Sequence, residues 1–143
     1  MKIVICSSLD FTFKIKEVED KLKEIGHEVV IPRTSRDILE GLVSLDQIKK
    51  EKTNGDIVKR AQSKGVIRFY FNEIKNADAV LVLNLDKKGI KNYIGGNVFL
   101  EMGFAHVLNK KIFLFNDIPD IHYKDEIRIM EPKIIDGDLN KIN

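Results

Sequence analysis

The segment that most limits what this chain can become is Val98 to Leu108, which is apolar almost all the way round when wound as a helix. Such a helix has to be buried, and the run upstream of it, Ala79 to Leu83, is the most apolar strand signal in the sequence. Between the two, the adjacent glycines Gly95 and Gly96 turn the chain, just after Tyr93. One acid interrupts the helix: Glu101 has Phe104, Ala105 and Leu108 three, four and seven residues on, so its carboxylate leaves the backbone on an apolar stripe. Two readings fit it. It complements the positive end of its own helix, or it is a charge that a binding site uses. Apolar neighbours favour its protonated form and the helix N-terminus its ionised form, and spacing does not decide between them.

The rest of the chain alternates between two periods. Lys2 to Cys6 reads as a strand covered on both faces, with Ser7-Ser8 at its exit. Phe11, Ile15, Val18, Leu22 and Ile25 fall at helical spacing, and Gly26 stops that helix. His27 to Ile31 gives a second strand with a polar exit over Pro32 to Arg36. Ser44 and Gln47 have the spacing of a capping box, opening a charged helix that ends near Thr53-Asn54-Gly55. A longer helix follows, with Ile67, Tyr70, Phe71, Ile74 and Ala77 on one face and Gly65 bending its first half. Past Lys110-Lys111 come a strand over Ile112 to Phe115, a polar exit from Asn116 to Pro119, a short helix over Asp125 to Met130, and an edge strand from Lys133 to Ile135. The pattern predicts a single α/β domain over residues 1–143: three layers, flavodoxin- or Rossmann-like, doubly wound around a mostly parallel sheet of about five strands.

Lysine and arginine total 24 against 22 acids, and a net charge of +2 is too small to call for a nucleic-acid polymer or a membrane surface. Cys6 is alone, the N-terminus is a strand pattern rather than a signal peptide, and no apolar run reaches the ~20 residues that cross a bilayer. The expected location is the cytoplasm. His27, His106, His122 and Cys6 lack metal-ligand spacing, and neither G-x-G-x-x-G nor a Walker A sequence is present, so neither metal nor cofactor is expected.

In such a sheet ligands bind outside the carboxyl ends of the strands, where strand order reverses. That rule gathers Ser7, Ser8, Arg33, Ser35, Asn84, Asp86, Asn97, Glu101 and Asn116 as candidates, each at a strand exit or the start of the next helix. Gly95-Gly96-Asn97 offers permissive backbone, close approach for a ligand and an N-cap, and Lys87, Lys88 and Lys91 flank the same mouth.

Asn76 to Asn84, Gly95-Gly96-Asn97, Phe99 to Ala105 and Lys111 to Leu114 together resemble the core of the nucleoside 2-deoxyribosyltransferase superfamily, which includes nucleotide N-glycosidases. The resemblance covers the third quarter of the chain, through a glycine loop and a Glu-x-Gly-x-Ala helix start. It implies cleavage or exchange of an N-glycosidic bond in a small nucleoside or nucleotide, with Glu101 as nucleophile and a glycosyl-enzyme intermediate. Ser7, Ser8, Gly95 and Gly96 would hold sugar or phosphate, and Asn84 and Asp86 would orient the sugar or assist the base. Asp86 is then the nearest candidate acid, and Arg33, Tyr93, Asn97 and Asn116 complete the expected binding residues. Relatives with transferase activity have a tyrosine at the first-strand exit and an acid on the helix before the Ala79 strand; here those places offer Cys6-Ser7-Ser8 and Arg68 with Tyr70. A homodimer or higher homo-oligomer is also implied. Two other readings stay open: a non-catalytic nucleotide-binding module, and a glycohydrolase acting on the nicotinamide bond of a dinucleotide.

Overall fold

Alternation along the strands explains the layers. The computed structural model describes residues Met1–Asn143. In β1 (Lys2–Cys6), Ile3 and Ile5 face α1 (Thr12–Glu24) and pack with Ile15, Val18 and Leu22. Val4 and Cys6 point the other way, toward Tyr70, Ile74, Val98, Met102 and Ala105. Period two on the strands and period 3.6 on the helices thus produce two apolar cores, one on each face of the sheet.

After β2 (Glu28–Val30) the chain runs through α2 (Arg33–Leu39), α3 (Leu45–Asn54), α4 (Asp56–Lys64) and α5 (Val66–Lys75) before entering β3 (Ala79–Val82). It then forms α6 (Gly96–Val107), β4 (Lys111–Leu114), α7 (Lys124–Ile129) and β5 (Lys133–Ile134). The five strands lie in the order β2-β1-β3-β4-β5, and every pair is parallel. The expectation of a mostly parallel sheet therefore becomes an all-parallel one with flavodoxin-like order, which reverses between β1 and β3. No helix is long and apolar enough to cross a membrane.

Local structure departs from expectation in two places. The polar exit expected over Pro32 to Arg36 is a helix, α2: Pro32 supplies a fixed φ at its start, and Thr34, Ser35 and Ile38 are buried. Its stability is tertiary, because the Ser35 hydroxyl meets that of Thr12 at 3.0 Å and the N–H of Arg33 donates to the Tyr70 hydroxyl at 3.2 Å. Second, the single bent helix expected after Gly55 is two helices, since Gly65 adopts a left-handed conformation at φ +56° that ends α4 and opens α5. As a result Ile67, expected on the buried face, is 54% exposed. Of the expected capping box the Ser44 half is present, with its hydroxyl accepting the Gln47 N–H at 3.0 Å, while the Gln47 side chain does not return the bond; Gly55 ends α3.

Candidate active site

The exits of β1 and β3 and the start of α6 meet where strand order reverses. Ser7 ties the two strands together by donating its hydroxyl to the carbonyl of Leu83 at 2.9 Å. The loop that leads into α6 is pinned from below: the Tyr123 hydroxyl donates to the Ile94 carbonyl, and its ring lies 4.7 Å from that of Phe99. Gly95 suits a close approach, since a Cβ there would come to 3.2 Å from the Tyr93 ring and push it aside by a few tenths of an ångström. Gly95, not Asn97, caps α6, and no side chain bonds to the first turn. The N–H groups of Gly96, Asn97 and Val98 consequently have no acceptor in the protein and point into the mouth region as donors.

A cavity of about 180 Å³ opens at this helix start, lined by Ser7, Ser8, Lys52, Lys87, Tyr93 and Gly95 to Val98. Two lysines from distant parts of the chain converge there on one acid. Lys87 reaches the Ser8 hydroxyl at 2.7 Å and Asp10 at 3.0 Å, and Lys52 from α3 reaches the other oxygen of Asp10 at 3.1 Å. Burial lowers the pKa of Lys52 from its usual 10.5, with Lys87 beside it contributing. Burial alone would raise Asp10, but hydrogen bonds from Lys87 and Lys52 outweigh it and hold the carboxyl below its usual 3.8. Two cations that share one acid, together with three free amides, thus line the cavity, which is suited to an anion.

Glu101 lies one turn deeper along α6. It is 8% exposed and borders a hollow of about 30 Å³ with Tyr70, Asn97, Val66, Ile67, Leu100 and Phe104, room for roughly one or two waters. Because the helix begins at Gly96, Glu101 stands in its second turn, past the reach of the helix dipole. Burial therefore decides what spacing left open. It pushes the carboxyl from 4.5 up to about 7, against a smaller opposing effect of the Cys6 thiol. The neighbours respond in kind: burial raises Cys6 and Tyr70 well above their usual values, and the negative charge of Glu101 adds to both. Glu101 is thus flanked by a neutral thiol and a neutral phenol.

A third space adjoins these two. Between α4 and α5 runs a groove of about 620 Å³, lined by Ile57, Val58, Ala61, Gln62, Gly65, Val66, Ile67, Arg68 and Asn97. Asn97 borders all three spaces, and Ile57 borders both the cationic cavity and the groove.

Of the residues singled out from sequence, Ser7, Ser8, Tyr93, Gly95, Gly96, Asn97 and Glu101 come together around this mouth. The others lie apart from it, Ser35 being buried with its hydroxyl against that of Thr12. Asn84 and Asn116 are locked to each other: the Asn84 amide donates to the carbonyls of Asn116 and Asp117 at 3.1 and 2.9 Å, and its oxygen accepts the Asn116 N–H at 2.9 Å. Asp86 is exposed and accepts the Asn92 N–H at 2.9 Å, which shapes its own loop. Arg33 lies over the Phe69 ring at 4.9 Å and donates to the Lys64 carbonyl at 3.3 Å. Lys88 sits over Tyr93 at 5.6 Å, and Lys91 is exposed, so Lys87 alone of those three lines the cavity. Sequence reading missed Lys52, and it did not place Cys6 or Tyr70 beside the acid; all three come from elements far away along the chain.

No family model matches the chain, and no curated protein sequence matches it. Among solved structures it is similar to the Clostridium botulinum CMP N-glycosidase BcmB, with a TM-score of 0.51, 17% identity, and coverage of 94% of this chain and 85% of that one. The likeness is one of fold: a five-stranded, all-parallel, three-layer α/β architecture.

Proposed function

We propose that the protein cleaves the N-glycosidic bond of a small nucleotide, with Glu101 as the nucleophile. The observation that carries this reading is a buried carboxylate, poised near neutrality, bordering a hollow that shares Asn97 with a cationic cavity. A furanose laid across the mouth would put its anomeric carbon at Glu101 and a 5′-phosphate among Lys52, Lys87 and the free amides of α6. The activity named for BcmB, on CMP, agrees with that division of roles and favours a nucleoside 5′-monophosphate as substrate.

In the reaction the ionised Glu101 oxygen forms a bond to C1′ while the bond from C1′ to the base breaks and its electron pair leaves with the base. A carboxylate suits the positive charge that develops on the sugar. Water then attacks C1′, Glu101 departs with its electron pair, and the water's proton ends on the base. If a second base replaces water, the same intermediate gives exchange, as in a deoxyribosyltransferase. A homodimer would bury the apolar strip along α6, where Leu100 and Val107 are 41% and 72% exposed.

The test is release of free base from a panel of ribo- and deoxyribonucleosides, their monophosphates and a nicotinamide dinucleotide, followed by chromatography. Base release by the wild type, lost in Glu101→Gln, is the expected result; a Glu101→Gln variant as active as wild type refutes the nucleophile. A non-catalytic nucleotide-binding module is the second reading, favoured by the position of Asp86 outside the hollow that Glu101 borders. Thermal stabilisation by nucleotide recovered intact, with no turnover anywhere in the panel, would select it.

A further inference from the structure

Cleavage of an N-glycosidic bond leaves the base with a pair of electrons, and the groups flanking Glu101, a buried thiol and a buried phenol, are poor acids. The chain has five arginines, and four are engaged. Arg36 pairs with Glu19, Arg60 with Glu51, Arg128 with Asp125, and Arg33 is held by Phe69 and the Lys64 carbonyl. Arg68 makes no ion pair, donates no hydrogen bond to the protein and lies over no ring, yet it lines the apolar groove between α4 and α5. That groove borders the Glu101 hollow at Val66, Ile67 and Asn97. Its walls include Val58 and Ile67, side chains left 56% and 54% exposed at a place where they could cover the faces of a flat ring.

We propose that the groove between α4 and α5 seats the departing base, and that the unpaired Arg68 guanidinium takes up the negative charge the base carries away. The inference rests on the nucleotide reading above and extends it. The base hangs from C1′ and the phosphate, through C5′, from C4′, the two ring carbons that flank the ring oxygen, so the two groups diverge from one face of the furanose. With the phosphate at Lys52 and Lys87 and C1′ at Glu101, the base falls toward α4 and α5. Arg68 is a donor-only group with five N–H bonds, suited to an acceptor such as the O2 carbonyl beside N1 of a pyrimidine. It keeps its own protons throughout. It stabilises the anion until the proton released by the attacking water reaches the base, and Gln62 on the same wall can donate or accept along the ring edge.

The experiment compares bases that leave charged with bases that leave neutral. Arg68→Met and Arg68→Lys are assayed against cytidine and uridine 5′-monophosphates, whose bases depart as anions. They are also assayed against nicotinamide mononucleotide and N7-methylguanosine 5′-monophosphate, whose bases depart without net charge. The expected result is a loss of roughly 10²–10³ in kcat on the first pair for Arg68→Met, the range for removing a group aimed at developing charge. Loss on the second pair stays below about threefold, KM changes little, and Arg68→Lys recovers at least about tenfold. Equal losses on both pairs, a loss in KM alone, or no loss at all overturns the assignment while leaving the nucleotide reading intact. A wild type that releases base from none of the four, nor from any ribo- or deoxyribonucleotide of the wider panel, overturns both.

Discussion

Glu101→Gln separates the charge of the buried carboxyl from its shape. Burial raises this group from 4.5 in the unfolded chain to about 7 in the folded one. At pH 4 both states hold the proton and the group contributes nothing to the pH dependence. Between those two values the unfolded chain releases the proton and the folded chain keeps it, so the unfolded state binds fewer protons and stability falls as pH rises. Each pH unit of that interval costs about 1.4 kcal/mol, and an interval of roughly 2.5 units gives about 3 kcal/mol in all. A glutamine has no such cost. The variant's stability relative to wild type should therefore grow by about 3 kcal/mol from pH 4 to pH 8, or roughly 6–12 °C in Tm for a chain near this size. Denaturant unfolding at half-unit pH steps measures it, and the pH 4 value subtracts whatever the amide itself costs. As the proposed nucleophile, the same group predicts the kinetics: kcat/KM should rise with pH through about 7 as Glu101 ionises, then level. Parallel stability curves for the two proteins, or a pH-independent rate from pH 5 to 8, would show that the carboxylate ionises as if solvated, and the argument from burial would fail.

Two further outcomes test the surroundings. Lys52→Ala and Lys87→Ala should each raise KM for a nucleoside 5′-monophosphate by roughly 10- to 100-fold, the worth of a hydrogen bond to a charged group, while leaving the unphosphorylated nucleoside unchanged in steady-state assays. Asn84→Ala should destabilise the fold by roughly 1–3 kcal/mol in chemical denaturation, because it removes the hydrogen bonds that the buried Asn84 side chain makes to the part-buried backbone of Asn116 and Asp117; a change below about 1 kcal/mol would return Asn84 to the list of ligand-facing residues.

The sheet was legible because each strand is a short apolar run and Gly26, Gly55 and the pair at 95–96 punctuate the chain. Glu101 was legible for the opposite reason, as the one residue that does not belong in its helix. What escaped is what depends on partners far away in sequence. The residues of α2, Arg-Thr-Ser-Arg-Asp-Ile-Leu, have mediocre helix propensity, and contacts to Thr12, Glu19, Lys64 and Tyr70 hold them. Asn84 and Asn116 looked like ligand groups because polar residues at strand exits usually are; that they satisfy each other across 32 residues has no local signature. Lys52 meets Asp10 across 42 residues, and nothing in either neighbourhood announces it.

The residues that roof the mouth have a common origin in the topology. A parallel sheet whose order reverses between β1 and β3 sends the chain from β2 back across the sheet to β3, and here that return is the whole stretch from α2 to α5. The return passes over the carboxyl rim, so whatever it carries on its inner side becomes the roof of the mouth: Lys52 from α3, Ile57 and Gln62 from α4, Arg68 and Tyr70 from α5. The strand exits and α6 provide the part of the site that the fold dictates, a carboxylate and a ring of amides. The crossover is free to vary its sequence without disturbing the strands beneath, and it provides Lys52, Arg68 and the apolar walls. Substitutions on α3 to α5 should accordingly change which nucleotide is accepted, while substitutions at Glu101 change whether any is cleaved.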